Sequence, residues 1–217
     1  MTYDAIVLAA GRGSRSGLAY NKVLFPFEGR PILWKSLELF ALDDECAKVV
    51  VACAKDEIED FSRQFAMNKV EFVCGGKDRQ DSVRNALTKC ASPYVLIHDG
   101  ARPFCSEKLR DDIKAALKKH PAVIPGLDVV DTIKEVDENG LVVRTPKRSM
   151  LKAVQTPQAF QTEMIVQALD MVRKENLQVT DDAQAVELCL HVPSLVVAGE
   201  PQNFKVTSPQ DIERLSA

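Results

Sequence analysis

The stretch VLAAGRGSRSG, residues 7–17, runs from apolar residues directly into glycines and arginines. A short apolar run that ends in a glycine-rich segment is typical of a strand followed by a ligand-binding turn in an α/β protein. Three interpretations are open for this turn: a dinucleotide-binding site, a cradle for a nucleoside triphosphate, and a loop that binds nothing.

Neither of two common phosphate-binding motifs fits the turn. Counted from Gly11, the dinucleotide motif Gly-x-Gly-x-x-Gly requires a glycine where the chain has Ser16, and the second predicted strand does not end in an acidic residue. The P-loop motif requires Gly-Lys-Ser/Thr, which does not occur here. The turn retains small residues that let a phosphate approach the backbone, followed by two cations that can neutralise its charge: Ala9, Ala10, Gly11, Gly13, Arg15 and Lys22.

Apolar segments alternate with amphipathic ones along the chain. Short runs rich in Val and Ile predict strands covered on both faces, at residues 4–9, 48–53, 70–74, 94–99 and 122–130. Residues 78–87 and 106–119 carry apolar side chains at helical spacing. This alternation predicts an α/β fold with a mostly parallel, Rossmann-like sheet flanked by helices, in a single domain over residues 1–217.

One segment interrupts the alternation. In DTIKEVDENGLVVRTPKR, residues 131–148, two β-like runs flank Asn139-Gly140, a dipeptide suited to the positive φ angles of a tight hairpin. An isolated two-stranded ribbon is marginally stable in water, so its apolar residues need a surface to pack on. The hairpin either folds onto its own domain or reaches into a second subunit.

Composition limits the classes of function. The 217 residues have a formal net charge of −3, which gives no general attraction to nucleic acid. No segment approaches the ~20 continuous apolar residues of a membrane span, and the first residues do not resemble a signal peptide, so we expect a cytoplasmic protein. Six cysteines without close pairs predict buried thiols in a reducing compartment.

Seven motifs together resemble one known family. LAAGRGSR with the following Asn-Lys, GGKDRQDSV, HDGARPF, VDTIK, QTPQAF, VTDDA and NFKVTSPQD extend over nearly the whole chain. In this order they resemble the 2-C-methyl-D-erythritol 4-phosphate cytidylyltransferases of the non-mevalonate isoprenoid pathway. The resemblance implies transfer of CMP from CTP to methylerythritol phosphate, with release of pyrophosphate and with Mg²⁺ or another divalent cation as cofactor. Such a reaction proceeds by in-line attack of an acceptor phosphate oxygen on the α-phosphorus.

The resemblance also implies roles for individual residues. Arg15 and Lys22 match the family's cations that stabilise the transition state, and Asp99 matches its metal-binding carboxylate at a strand end. The nucleotide would contact Ala9, Ala10, Gly11, Gly13, Gly75, Gly76, Arg79 and Ser82. The acceptor would be positioned by Arg102, Thr132, Arg148, Thr156, Thr180 and Lys205. From the residues alone, Asp99 also fits a turn cap, Thr180 a helix cap and Arg79 an exposed helix face.

In relatives of this family the hairpin arm crosses to a second subunit, which implies a homodimer whose active sites are completed by residues 131–148 of the partner. Three positions depart from the family pattern: Ser16 stands where a Met is common, Lys77 where many relatives carry an acid, and Asn21 where a Pro usually precedes the catalytic Lys. Proline would fix φ, so we expect the loop before Lys22 to be looser here.

Three other functions compete with this interpretation. Ribitol 5-phosphate cytidylyltransferases share the fold, CTP and metal, but typically differ at the first loop, at Asp81-Ser82-Val83 and at Thr180-Asp181-Asp182-Ala183. A non-catalytic nucleotide-binding module would be expected to lack a loop cation or Asp99. A dehydrogenase is disfavoured by Ser16 and by the missing strand-end acid.

Overall fold

A computed structural model describes residues 1–11 and 17–216 of the chain. The strands are β1 (Tyr3–Leu8), β2 (Pro26–Phe27), β3 (Arg30–Pro31), β4 (Cys46–Cys53), β5 (Val70–Cys74), β6 (Tyr94–Asp99), β7 (Ala122–Asp128), β8 (Glu135–Val136), β9 (Val142–Arg144), β10 (Lys152–Val154), β11 (Gln158–Gln161) and β12 (Leu195–Ala198). The helices are α1 (Leu33–Ala41), α2 (Ile58–Gln64), α3 (Arg79–Leu87), α4 (Glu107–Leu117), α5 (Thr162–Lys174), α6 (Asp182–Leu190) and α7 (Pro209–Ser216). Short 3₁₀ turns lie at Lys22–Leu24, Lys55–Glu57 and Arg148–Met150.

Eight strands form the central sheet. From β5 at one edge, the order runs through β4, β1, β6 and β11 to β7, and β12 pairs with β7. Val123 of β7 faces Ala159 of β11 on one side and Leu195 of β12 on the other, so β12 forms the second edge. Six strands point the same way, while β10 and β11 run antiparallel to their neighbours. The predicted mostly parallel sheet is confirmed.

The sheet is buried on both faces, because successive side chains of a strand point to opposite sides. In β4, Val49 and Val51 face one hydrophobic cluster, which includes residues of α1, α2 and α4. Val50 and Ala52 face a second cluster, which includes residues of α3, α5 and α6. This arrangement accounts for the nearly continuous apolar runs that predicted the strands.

Residues 131–148 contain the predicted hairpin as a separate sheet of β8 and β9. The turn is wider than a two-residue hairpin loop, because the Asp137 N–H donates to Leu141 O at 2.9 Å, and positive φ occurs at Gly140 but not at Asn139. Residues 131–145 are all exposed, and Leu141 is 66% exposed. The described residues of the domain therefore do not cover this arm's apolar side chains.

The cysteines agree only partly with the prediction of buried thiols. All six are free, and Cys46, Cys53 and Cys105 are buried. Cys74 is exposed, because β5 is an edge strand and Cys74 is its last residue. Within the described residues, no helix is long and apolar enough to cross a membrane.

Candidate active site

A cleft of about 430 Å³ opens at the C-terminal ends of β1 and β6. It is lined by Leu8, Ala9, Ala10, Gly11, Lys22, Val23, Gly76, Lys77, Asp78, Arg79, Ser82, Asp99, Ala101 and Lys205. Strand ends of an α/β sheet are the usual location for a ligand, because the loops that follow parallel strands meet there. The cleft brings together nine of the predicted site residues: Ala9, Ala10, Gly11, Lys22, Gly76, Arg79, Ser82, Asp99 and Lys205.

Three cations surround the carboxylate of Asp99, the last residue of β6. Lys205 Nζ lies 2.7 Å from Oδ2, Arg79 Nε lies 3.6 Å from Oδ1, and Arg102 Nε lies 3.8 Å from Oδ2. Burial by itself raises the pKa of Asp99, but the charges of Arg79, Lys205 and Arg102 outweigh it and hold the pKa well below its usual value. Asp99 is ionised at neutral pH, and both arginine contacts are longer than a direct hydrogen bond.

Arg79 is anchored by Asp182, a residue that the sequence analysis did not assign to the site. Asp182 is fully buried at the first turn of α6, and its Oδ2 lies 2.8 Å from Arg79 Nη2. Burial opposes the charge on Arg79, but the carboxylates of Asp182 and Asp99 raise the pKa of its guanidinium. The alternative that Arg79 is only an exposed helix residue is wrong, because its side chain is 25% exposed and paired with a buried carboxylate.

Thr156 is bonded to the end of β6. Its Oγ1 accepts from the Asp99 N–H at 3.0 Å and lies 3.1 Å from His98 Nδ1. His98 Nε2 lies 3.0 Å from the carbonyl oxygen of Arg102, which can only accept, so Nε2 carries the proton and Nδ1 accepts from the Thr156 hydroxyl. Burial lowers the pKa of His98 to about 4, so the ring is neutral. The substrate contact predicted for Thr156 stays a prediction, and the hydroxyl's present contacts position Asp99.

The second glycine turn packs against the first loop. The Gly75 N–H donates to Cys53 O at 2.7 Å, and the Gly76 N–H donates to Ser82 Oγ at 2.9 Å. A Cβ on Gly75 would lie 2.7 Å from Ala10 Cβ, and one on Gly76 would collide with Asp81. Both glycines are thus required by close packing, and their N–H groups already have partners. The base recognition predicted for these amides stays a prediction.

Asn21 does not loosen the turn before Lys22, so that expectation is wrong. Its φ is −61°, close to the value that a proline ring would impose. The side chain is buried and donates through Nδ2 to Ala9 O at 2.7 Å. Lys22 therefore follows a residue that is bonded directly to the floor of the cleft.

The remaining predicted residues do not line the described cleft. Arg102 donates to Asn203 O at 2.8 Å and supports the loop after β6. Thr180 is exposed and bonds to the Gln184 side chain, while the cap of α6 is Asp181, so the capping role considered for Thr180 is wrong. Thr132 and Arg148 lie in the exposed arm. Gly13 and Arg15 lie outside the described residues.

The cleft fits a divalent cation that is held together with a phosphorylated ligand. The described residues contain no cluster of three or more His, Cys, Asp or Glu side chains that could hold a metal. Asp78 also lines the cleft, but its carboxylate caps α3 by accepting from the Asp81 N–H at 2.8 Å. Asp99 therefore offers the ionised carboxylate, and Mg²⁺ commonly binds one or two carboxylates and completes its shell with substrate phosphates and water.

Comparisons with known proteins identify the family. A family model described as 2-C-methyl-D-erythritol 4-phosphate cytidylyltransferase matches residues 3–217. The protein of that name from Bacillus mycoides (strain KBAB4) is 40% identical over 215 residues, which is 97% of this chain and 94% of the relative. The chain belongs to the 2-C-methyl-D-erythritol 4-phosphate cytidylyltransferase family.

Solved structures of the family share the fold. The 4-diphosphocytidyl-2C-methyl-D-erythritol synthase of Anaerococcus prevotii DSM 20548 is similar at a TM-score of 0.89 and 31% identity, over 99% of this chain and 94% of that chain. The 2-C-methyl-D-erythritol 4-phosphate cytidylyltransferase of Thermus thermophilus gives 0.80 at 31% identity, over 99% and 97%. The family resemblance drawn from the seven motifs is confirmed, as are the α/β fold and the identity of the chain as a nucleotidyltransferase enzyme. The ribitol 5-phosphate alternative is not favoured.

Proposed function

We propose that this cytidylyltransferase transfers CMP from CTP to 2-C-methyl-D-erythritol 4-phosphate within the cleft at the ends of β1 and β6. The observation that carries the proposal is the convergence of four separate segments on one cleft. They contribute the small residues Ala9 to Gly11, the turn at Gly76, the carboxylate of Asp99 and the ammonium of Lys205. Each belongs to a different motif of the family.

The chemistry requires positioning and charge stabilisation more than covalent catalysis. An oxygen of the acceptor phosphate attacks the α-phosphorus, the bond to the β-phosphate oxygen breaks, and pyrophosphate leaves. Negative charge accumulates around the α-phosphorus during this displacement, so fixed cations lower the barrier. We assign this role to Lys22, which lines the cleft beside the end of β1, and to Arg15 of the same loop.

The nucleotide would lie between the two loops. Ala9, Ala10 and Gly11 present a surface of small residues to the phosphates. Gly76, Arg79 and Ser82 lie across the cleft, where the base and ribose would bind. Since the Gly76 N–H is bonded to Ser82, base recognition would use carbonyl groups or require this bond to open.

Asp99 would hold Mg²⁺. The bound ion would neutralise charge on the CTP phosphates, in line with its usual role in phosphoryl transfer. Lys205 Nζ now contacts Asp99 Oδ2, so its ammonium would have to leave that oxygen and become available to the acceptor phosphate. We assign Lys205 to that phosphate, because an ammonium provides a point charge for a dianion.

The exposed arm supports a homodimer. Its apolar Val136 and Val143 are 52% and 62% exposed, and a two-stranded ribbon needs packing to be stable. We propose that the arm, residues 131–148, packs on a second subunit and delivers Thr132 and Arg148 to that subunit's acceptor site. Six free cysteines are compatible with a reducing, cytoplasmic environment.

The reaction is tested by pyrophosphate release from CTP and Mg²⁺ with each acceptor in turn. We expect release with 2-C-methyl-D-erythritol 4-phosphate, and at most trace release with ribitol 5-phosphate or when ATP, GTP or UTP replaces CTP. Faster release with ribitol 5-phosphate would overturn the proposed acceptor.

The two cations are tested by Lys22→Ala and Arg15→Ala. We expect kcat to fall by about 100-fold or more for each variant, with a much smaller change in CTP affinity measured by calorimetry. Unchanged turnover would remove the residue from the mechanism.

The dimer is tested by light scattering at micromolar concentration. The monomer mass is 24.0 kDa, and we expect about twice that value. Exchange of Leu141 and Val143 for Lys should shift the mass to that of the monomer and lower activity; a monomeric wild-type enzyme would contradict arm exchange.

A further inference from the structure

Asn21 connects three parts of the cleft through one side chain. Its Nδ2 donates to Ala9 O at 2.7 Å and lies 3.1 Å from both carboxylate oxygens of Glu57. Its Oδ1 accepts from the Val23 N–H at 3.3 Å. The side chain therefore joins the end of β1, the 3₁₀ turn that contains Lys22 and the 3₁₀ turn that follows β4.

The orientation of the amide follows from its partners. The Ala9 carbonyl and the Glu57 carboxylate can only accept, whereas the Val23 N–H can only donate. An amide satisfies all of them at once: one N–H reaches Ala9, the other is shared by the Glu57 oxygens, and the carbonyl faces Val23. Alanine satisfies none of them, and an aspartate would place a second anion against Glu57 and the Ala9 carbonyl.

These contacts determine where the backbone of Lys22 lies. Lys22 is the residue after Asn21, and the turn is closed by bonds from the Leu24 N–H to Asn21 O at 2.9 Å and from the Phe25 N–H to Lys22 O at 3.0 Å. Ala9 is itself fixed, because its N–H donates to Ala52 O of β4 at 2.8 Å. Asn21 thus attaches the Lys22 turn to a fixed strand end.

Glu57, the other partner of the amide, is held in the same way. The Ala54 N–H lies 3.3 Å from Glu57 Oε2, and Ala54 directly follows the last residue of β4. The Lys22 turn is therefore attached through Asn21 to the ends of two neighbouring strands, β1 and β4.

We propose that Asn21, held by Glu57, is the positioning residue that fixes Lys22 relative to the α-phosphate site in this enzyme. It acts by hydrogen bonding where a proline would act by restricting φ, and it makes no contact with the reacting atoms itself. This inference rests on the proposed role of Lys22. Misplacement of a catalytic group by about 1 Å can cost about 100-fold in rate, so loss of this anchor should lower kcat more than CTP affinity.

The test compares Asn21→Asp, Glu57→Gln and the double variant. Asn21→Asp keeps the shape and sets two carboxylates against each other, so we expect kcat to fall by about 10- to 100-fold while the KM for CTP changes by less than about threefold. Glu57→Gln alone should lower kcat by no more than about threefold, because the glutamine oxygen still accepts from Asn21. In the double variant the glutamine amide donates to the introduced aspartate, and we expect at least about tenfold recovery of kcat relative to Asn21→Asp.

Two controls separate positioning from general damage. Asn85→Asp makes the same chemical change at an exposed residue of α3 whose Nδ2 bonds to Cys74 O at 3.1 Å, and we expect kcat within about twofold of wild type. Should Asn21→Asp not fold, Asn21→Ala removes the same bonds without added charge and should lower kcat by about tenfold.

The outcomes also separate this inference from the proposed function. Wild-type kcat in Asn21→Asp and Asn21→Ala, no recovery in the double variant, or equal losses in kcat and CTP affinity would each overturn the positioning role. Lys22→Ala, measured in the same series, reports on the proposed function alone. If Lys22→Ala loses turnover while both Asn21 variants keep it, Lys22 is catalytic and Asn21 does not position it.

Discussion

Two buried carboxylates lie at opposite ends of the sheet, and each is surrounded by positive charge. Asp43 is bonded to Tyr3, the first residue of β1, whereas Asp99 is the last residue of β6. Lys114 Nζ lies 2.7 Å and Arg110 Nε 3.1 Å from Asp43 Oδ2, and the Tyr3 hydroxyl donates to the same oxygen at 2.8 Å. These direct contacts saturate Asp43. They oppose the effect of burial and hold its pKa below the usual value.

The Asp99 cluster has the same ingredients in a looser arrangement. Only Lys205 is in direct contact, the two arginines lie at 3.6 and 3.8 Å, and among the described residues Arg79 Nη1 and Arg102 Nε are buried without a hydrogen-bond partner. The Lys205 side chain is 37% exposed, compared with 9% for Lys114. Unsatisfied buried donors cost stability, so their presence in a cleft marks a site adapted to a ligand. One cluster stabilises the fold, and the other is poised to bind.

The largest effect should follow from breaking the saturated cluster. Asp43→Asn leaves Lys114 and Arg110 buried with reduced compensation, and loss of one partner from a buried ion pair costs about 3–5 kcal/mol. We expect a decrease of that order in the free energy of unfolding, measured by urea denaturation. Asp111→Asn removes a 54% exposed partner of the same cations and should cost less than about 1 kcal/mol. Equal stability of Asp43→Asn and wild type would contradict the structural role.

A smaller effect should appear in substrate affinity when the looser cluster is altered. Lys205→Ala removes the cation assigned to the acceptor phosphate, and a charge-assisted hydrogen bond contributes about 1.5–3 kcal/mol. We expect the KM for methylerythritol phosphate to rise by about 10- to 100-fold, with the KM for CTP within about threefold. Lys108→Ala, at an exposed residue paired with Asp112, makes the same charge change away from the cleft and serves as the control. An unchanged KM for the acceptor would remove Lys205 from that role.

The smallest predicted effect concerns His98, which supports Asp99 through Thr156. Its pKa is about 4 in the folded protein and 6.5 when unperturbed, so between these values the unfolded chain binds a proton that the folded chain does not. Stability is therefore lost as the pH falls from about 6.5 towards 4. For this one group the loss between pH 7 and pH 5 is about 2 kcal/mol.

This pH dependence is measured by urea unfolding at both pH values. His98→Asn should lose about 2 kcal/mol less than wild type between pH 7 and pH 5. His120→Asn, at an exposed residue, should retain the wild-type dependence. A His98→Asn curve parallel to wild type would show that His98 titrates normally in the folded protein.

Sequence patterns predicted the fold well because they depend on local composition. The bounds of β5 and β6 are those expected from their apolar runs, and α3 begins within one residue of its predicted start. Motif order predicted the family, and residue type together with position at a strand end placed Asp99 in the cleft. Each of these inferences uses neighbours in the sequence or the shared edge of a parallel sheet.

Hydrogen-bond partners were harder to predict, because tertiary packing chooses them. The hydroxyls of Thr156 and Ser82 were assigned to substrates, but both are bonded within the protein. Asp182 was not assigned to the site, because its partner Arg79 begins a distant helix. Asn21 was expected to weaken its turn, since the sequence does not show that Ala9 and Glu57 lie within reach of its amide.

The central claim is that cytidylyl transfer takes place at the loose cluster around Asp99 and does not involve the saturated one around Asp43. It is tested most directly by the rate of CTP- and methylerythritol phosphate-dependent pyrophosphate release in two isosteric variants, assayed at a temperature where circular dichroism shows both folded. We predict that Asp99→Asn loses about 100-fold or more in kcat/KM and that Asp43→Asn stays within about threefold of wild type. Near-wild-type activity in Asp99→Asn, or a comparable loss in Asp43→Asn, would contradict the claim.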